Sequence, residues 1–181
     1  YESVSQCVLQ TRTEKKLTGN EMFELVKEEC ERILGKVETG VGKRKGGGKL
    51  WTKQLGTSSP DVGNGVTTDS SGNIYLTGQT RGGLDGNTNT GYWDIFLIKY
   101  NSSGTKQWTK QLGTSSWDRG KGVTTDSSGN IYVTGDTNGG LDGNTNSGGS
   151  DIFLVKYNSS GTKQWTKQLG TSSWDRGKGV T

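Results

Sequence analysis

Histidine is missing from all 181 residues, which removes the commonest general base and the commonest metal ligand. Cysteine is nearly missing: Cys7 and Cys30 both stand early in the chain, so no disulfide framework can hold the remainder. Without a histidine partner neither thiol is set up as a nucleophile, and Cys30 reads as a core position instead. Hydrophobic residues are scarce at 27%. No run approaches the roughly 20 apolar residues needed to span a bilayer. The start carries Glu2 and no apolar stretch, so no signal peptide is expected within the sequence, although a chain that does not begin with Met is compatible with earlier removal of one. A strong charge of one sign is absent too. The net charge is +4, spread along the chain apart from Lys43-Arg44-Lys45. Such a balance affects solubility and is not a nucleic-acid signature, so no nucleic acid is expected as a partner.

What is abundant is glycine, at 31 residues, together with six Trp and six Tyr. Aromatics bury a large area each and compensate in part for a thin aliphatic core. The residues are also periodic. Trp51, Trp108 and Trp165 recur every 57 residues, and Gly104–Thr124 returns unchanged as Gly161–Thr181. Two full copies and a partial third account for everything from about residue 50 onward. Each copy has four strand-like runs divided by turn signals. In the second these are Gly122–Asp126, Ile131–Gly135, Asp151–Tyr157 and Lys163–Leu169. Ser-Ser-Gly turns come after the first and third, and a long Gly/Asn loop after the second.

The third run sets the architecture. Ile95 and Leu97 alternate with Phe96, Ile98 and Tyr100, so the strand is apolar on both faces and needs cover on both. A small antiparallel sheet of that kind, repeated at fixed period, stacks on copies of itself. The fold class expected is mainly β: four-stranded antiparallel propeller-type blades preceded by a short α-helical leader. Blade 1 is expected over about 65–112 and blade 2 over about 122–169, with partial strands at 50–56 and 178–181. The run Gly-Val-Thr-Thr-Asp-Ser-Ser-Gly-Asn-Ile-Tyr-Val-Thr-Gly (122–135), then Gly-Gly-Leu-Asp-Gly-Asn-Thr-Asn (139–146), then Asp-Ile-Phe-Leu-Val-Lys-Tyr (151–157) resembles the SBBP family of bacterial beta-propeller repeats. The resemblance covers about 49–181. It implies a propeller and a secreted or cell-surface setting, and no particular activity.

Closed propellers use about 4 to 8 blades, and two blades leave apolar faces open. Three outcomes are open to such a chain: several copies complete one ring, the chain is part of a longer array, or the blades dock on a larger assembly. Partners are thus other copies, or a protein or glycan ligand.

Comparison of the two copies locates a candidate binding face. Leu76/Val133 and Ile98/Val155 are conservative core swaps, and Leu50 stands against Gln107. The remaining changes fall into two groups. Pro60, Val62 and Asn64 become Trp117, Arg119 and Lys121. Gln79, Arg81, Thr90, Tyr92 and Trp93 become Asp136, Asn138, Ser147, Gly149 and Ser150. In an up-and-down blade both groups emerge at one end. Neutral drift in tolerant loops gives such a pattern, and so does a binding face with Tyr92, Trp93, Trp117, Arg119, Trp174 and Arg176 as contacts, Trp and Arg being favoured anchors.

Other chemistry is sparse. Asp85-Gly-Asn87-Thr-Asn89 and Asp142-Gly-Asn144-Thr-Asn146 put side-chain oxygens at alternate positions, as calcium loops do, but lack a nearby Glu. Calcium is the one cofactor they suggest; Asn/Gly turns account for them equally. Asp94, Asp151, Asp69 and Asp126 invite a glycosidase reading, yet carboxylates repeated in every copy fit turns and strand ends better. Catalysis is therefore not expected. Lys43–Lys45 lies in a Gly-rich linker (40–49) that lacks the GxxxxGK[ST] spacing of a phosphate loop. In the leader (1–39), Thr18 and Glu21 form a capping box. Phe23, Val26, Cys30, Ile33 and Val37 lie at helical spacing, which predicts an amphipathic helix over about 19–34. Such a helix could dock on the blades or on a partner.

Overall fold

The computed structural model describes residues 49–180. The leader with its expected helix and both cysteines, residues 40–48 of the linker, and Thr181 lie outside the described residues. From Trp51 onward the chain is one unit. β1 (Asp61–Thr68), β2 (Ile74–Thr80), β3 (Asp94–Tyr100) and β4 (Lys106–Leu112) pair antiparallel in chain order. So do β5 (Asp118–Thr125), β6 (Ile131–Thr137), β7 (Asp151–Tyr157) and β8 (Lys163–Leu169). The β2–β3 and β6–β7 loops each hold one short 3-10 turn, Leu84–Gly86 and Leu141–Gly143.

Local chemistry fixes the hairpins. Between β1 and β2 the Asp69 carboxylate accepts from the Ser71 and Asn73 amides at 3.0 and 2.9 Å, closing the turn. Gly72 takes φ +75°, which glycine adopts without a Cβ penalty. The Tyr75 hydroxyl then donates to Asp69 at 2.9 Å and ties the turn to the strand it starts. Asp126, Gly129 and Tyr132 repeat the arrangement.

The first strand of each sheet begins at Asp61 and Asp118, four residues ahead of the boundaries expected at about 65 and 122. The reason is a bulge. The register slips between Gly63 and Gly65, and likewise between Gly120 and Gly122. Glycine and charge at these positions mask the strand pattern, while the ladder runs through them. Residues 50–56 and 178–180, expected as partial strands, carry no ladder among the described residues; an extended segment needs a neighbouring strand to bond to.

The two-faced third strand is observed. Ile95 and Leu97 join Tyr75 in a cluster with Val123, Ile131, Val133, Phe153, Val155 and Tyr157 of the second sheet. Phe96, Ile98 and Tyr100 face the other way, with Leu84, Ile74, Leu76 and, from the segment before β1, Leu55. Sheet stacks on sheet through side chains at both ends of the repeat. A Cβ on Gly161 would come within 2.9 Å of the Trp108 ring, so this turn must be glycine for Trp108 to lie on it. Trp51 sits on Gly104 in the same way.

Candidate functional site

The loop between β2 and β3 and the segment entering β5 meet at one end of the stacked sheets. Trp93 and Trp117 form a parallel bridge, with the Asp118 amide donating to the Trp93 carbonyl at 2.9 Å and the Tyr92 amide to that of Ser116 at 3.1 Å. This backbone pairing brings four of the six expected contact residues together. Tyr92 lies flat on Trp117, with ring centroids 5.6 Å apart and planes 8° apart. Arg81 lies 5.6 Å over both the Tyr92 and Trp93 rings, and Arg119 lies 4.8 Å over Trp117. The result is a ladder of aromatic rings with an arginine at each end. Its rings remain wet: Tyr92 is 56% exposed and Trp117 38%, while Trp93 is buried beneath them.

Trp174 and Arg176 are not part of that ladder. They repeat its last rung alone, the guanidinium 5.9 Å from the ring. Trp174 pairs with Ser150 by backbone and lies beside Gly149, where the first copy has Trp93 and Tyr92. With no ring to stack on, it is 60% exposed.

Arg119 lies in β5 rather than in a loop. It faces Asp136 across the ladder and pairs with it at 3.0 Å. The first copy has Val62 opposite Gln79 at these places. Asp136 and Arg81 are two members of the site that sequence reasoning did not single out as contacts. The joint change from Val62 and Gln79 to Arg119 and Asp136 was the signal for the first, because two residues that change together from an uncharged pair to opposite charges are candidates for contact. For Arg81 the signal was its place among the differing loop residues.

Beneath the ladder Asp118 is fully buried and accepts from the Thr114 amide at 2.6 Å and from the Thr137 hydroxyl. Burial raises its carboxyl above the ordinary value; the Thr137 and Thr114 bonds oppose the rise, and the Asp94 charge adds to it. The aspartates that invited a glycosidase reading each serve their own loop or turn. Asp94 accepts from Thr90 and from Gln111, and Asp151 from the Ser147 amide and Gln168. Asp69 and Asp126 close their hairpins.

The side chains of the calcium-type loops make hydrogen bonds within their own blade. Asp85 takes Lys106 and Thr109, Asn87 donates to the Leu84 carbonyl, and Asn89 donates to that of Thr80. Asp142 takes Lys163 and Thr166, and Asn144 donates to Leu141. The Asn146 carbonyl oxygen accepts from the Gly148 amide at 2.9 Å. Asp85 and Asp142 adopt positive φ, +52° in both. Among the described residues no three acidic, sulfur or imidazole groups converge on a metal-sized point, and no helix is long and apolar enough to cross a membrane.

Comparison with known proteins agrees with this architecture. The chain is 28% identical over 145 residues to Regulatory protein FlaEY of Caulobacter vibrioides, a match covering 72% of this chain and 15% of that protein. It is 26% identical over 171 residues to an uncharacterized WD repeat-containing protein of Acanthamoeba polyphaga mimivirus, covering 73% of this chain and 12% of the other. The chain thus spans less than a sixth of either relative. Residues 50–85 and 107–142 each match the family model SBBP, described as a beta-propeller repeat. Each matched segment carries the first two strands of one sheet, and over these residues the chain is similar to beta-propeller repeats of the SBBP kind.

Proposed function

We propose that the chain is a non-catalytic binding and scaffold module whose second blade stacks on a blade of another copy. One observation carries this reading. The row Ile95, Leu97, Tyr75 is sealed by the second blade, while the same row in that blade, Ile152, Leu154, Tyr132, has no blade on it. Ile95 is 3% exposed and Ile152 36%; Leu169, at the outer strand, is 77% exposed. Exposed apolar area of this kind favours association. The fitting row is present in the chain, largely buried with Leu55 packed on it: Phe96, Ile98, Tyr100 and Leu76 of a second copy, once that segment is displaced, offer what Phe153, Val155, Tyr157 and Val133 offer within one chain.

Residues 51–55 and 165–169 share the sequence Trp-Thr-Lys-Gln-Leu. Trp51 already holds, over Gly104, the place that an incoming Trp165 would take. Stacking exchanges one such segment for the other at little cost in energy, as in domain swapping. The loop end with its aromatic–arginine ladder is left free for a foreign ligand. Absence of histidine, and the commitment of the repeated aspartates to their own loops, favour binding over glycan hydrolysis.

Sedimentation over a concentration series tests the stacking. The protein should self-associate, and Ile152→Lys with Leu169→Lys should abolish association while leaving the circular dichroism spectrum unchanged. A wild-type protein that stays a single copy at every concentration would defeat the reading.

A further inference from the structure

A cleft of about 380 Å³ opens beside the ladder, lined by Ser59, Pro60, Arg81, Gly91 and Tyr92. The size lies within the range of small-ligand sites. Arg119 is neutralised by Asp136, but Arg81 makes no ion pair and no side-chain hydrogen bond with any other described residue. Its guanidinium carbon stands 5.6 Å from the centres of both the Tyr92 and the Trp93 ring, a cation–π position that leaves its N–H groups able to meet a ligand. A guanidinium placed against two rings takes a carboxylate through two parallel bonds, with less rotamer freedom to lose than a free lysine.

The rest of the cleft suits a sugar ring. Pro60 and the Tyr92 ring supply apolar walls, and the Ser59 and Tyr92 hydroxyls bond no other described residue. A peptide backbone finds little here. Pro60 has no N–H to offer, and its carbonyl accepts from the Arg81 amide at 3.0 Å, so both main-chain groups at the mouth are already used. The second blade has no counterpart, because Asn138, Gly149 and Trp117 stand in the places of Arg81, Tyr92 and Pro60.

We propose that the cleft at Arg81 and Tyr92 binds an acidic sugar unit of a glycan, with Arg81 holding its carboxylate. The inference deepens the reading of the loop end as a binding surface and does not depend on blade stacking, which sedimentation tests separately.

Calorimetric titration with an oligogalacturonate, a neutral galactose oligomer of equal length and a polyglutamate peptide tests it. The oligogalacturonate should bind at least about tenfold tighter than the neutral oligomer, a difference of about 1.4 kcal/mol. Arg81→Gln should remove that advantage, and Tyr92→Ala should weaken binding of both sugars. Asn138→Ala, at the matching place in the second blade, should change nothing. Equal affinity for the two sugars, an unaffected Arg81→Gln protein, tighter binding of polyglutamate, or no binding of the oligogalacturonate would each overturn the proposal. Amide spectra of the Arg81→Gln protein should match those of the unaltered protein, so that a lost signal reports the site and not the fold.

Discussion

Tyr75 and Tyr132 occupy the same place in their blades, each has the equivalent lysine over its ring, at 5.4 Å in both, and each bonds its own turn aspartate. Tyr75 is fully buried and Tyr132 is not. The lysines differ too: Lys99 reaches the Ser159 carbonyl of the next blade at 3.2 Å, whereas Lys156 makes no such bond among the described residues. Almost every side chain on the first blade's face toward the second has a twin on the second blade's outward face. The chain therefore holds an internal control in which sequence is fixed and only cover varies. What the control teaches is that strand formation and blade stacking separate: the hairpins of both blades are complete, and only the second blade's outward face lacks a covering blade among the described residues.

The largest expected difference is at the centre of that face. Ile95→Ala should cost about 2–5 kcal/mol, the range for emptying a closed core position. Ile152→Ala should cost less than about 1 kcal/mol, since part of its surface is already wet. Urea unfolding of the two variants measures both, at a concentration below any association. Equal losses would mean that the two faces are equally covered. Next in size is Arg119→Met. It leaves the Asp136 carboxylate, which is nearly sealed from solvent, without its partner, and should cost about 1–3 kcal/mol. The corresponding Val62→Met, opposite an uncharged Gln79, should be close to neutral, and an equal cost at both would deny the ion pair a structural role.

Glycines sharpen the comparison on a smaller scale. A Cβ on Gly65 would sit 3.2 Å from the Lys121 carbonyl oxygen of the next blade, and one on Gly179 would meet nothing within 4 Å. Gly65→Ala should lose about 1 kcal/mol through this crowding. Gly179→Ala should be neutral or slightly stabilising, because alanine restricts the unfolded chain more than glycine does. Thermal melts of the pair distinguish the two, and a loss at Gly179 comparable to that at Gly65 would place a neighbour there.

The sequence made the repeat, the hairpin turns and the two-faced third strand legible, because each rests on local signals: a fixed period, Ser-Ser-Gly turns, and alternation of large apolar side chains. It obscured the start of the first strand. Gly63, Gly65, Gly120 and Lys121 look like loop residues, and only the partner strand reveals that the ladder runs through them around a bulge. The candidate site was legible in its aromatics, since Tyr92, Trp93 and Trp117 stood out as differences between copies. Its charges were harder. Whether Arg119 is free or paired depends on Asp136, 17 residues away and opposite it only once the hairpin has formed. The Asp85 and Asp142 loops show the converse: their oxygen spacing is plain in the sequence, but the lysines of β4 and β8 that occupy the carboxylates come from more than twenty residues further on.

The smallest expected effect concerns acid. Asp69 feels burial, which would raise it, but the bonds from Asn73, Tyr75 and Ser71 outweigh that and hold its carboxyl below the ordinary 3.8. Asp126 is likewise held down, first by Asn130. The stability these two contribute is complete above the unfolded value and is lost as pH falls through their lowered values. Asp118 has the opposite sign. Burial at the covered interface raises its carboxyl, so the folded state binds its proton more readily than the unfolded chain does. Between that raised value and 3.8, its protonation favours the fold as pH falls. Asp118→Asn removes this compensating gain. Its unfolding free energy should therefore drop more steeply between pH 7 and pH 4 than that of the unaltered protein, whatever the variant's stability at neutral pH. Urea unfolding at the two pH values gives both slopes, and a shallower slope for the variant would show that the Asp118 carboxyl is not raised by its cover.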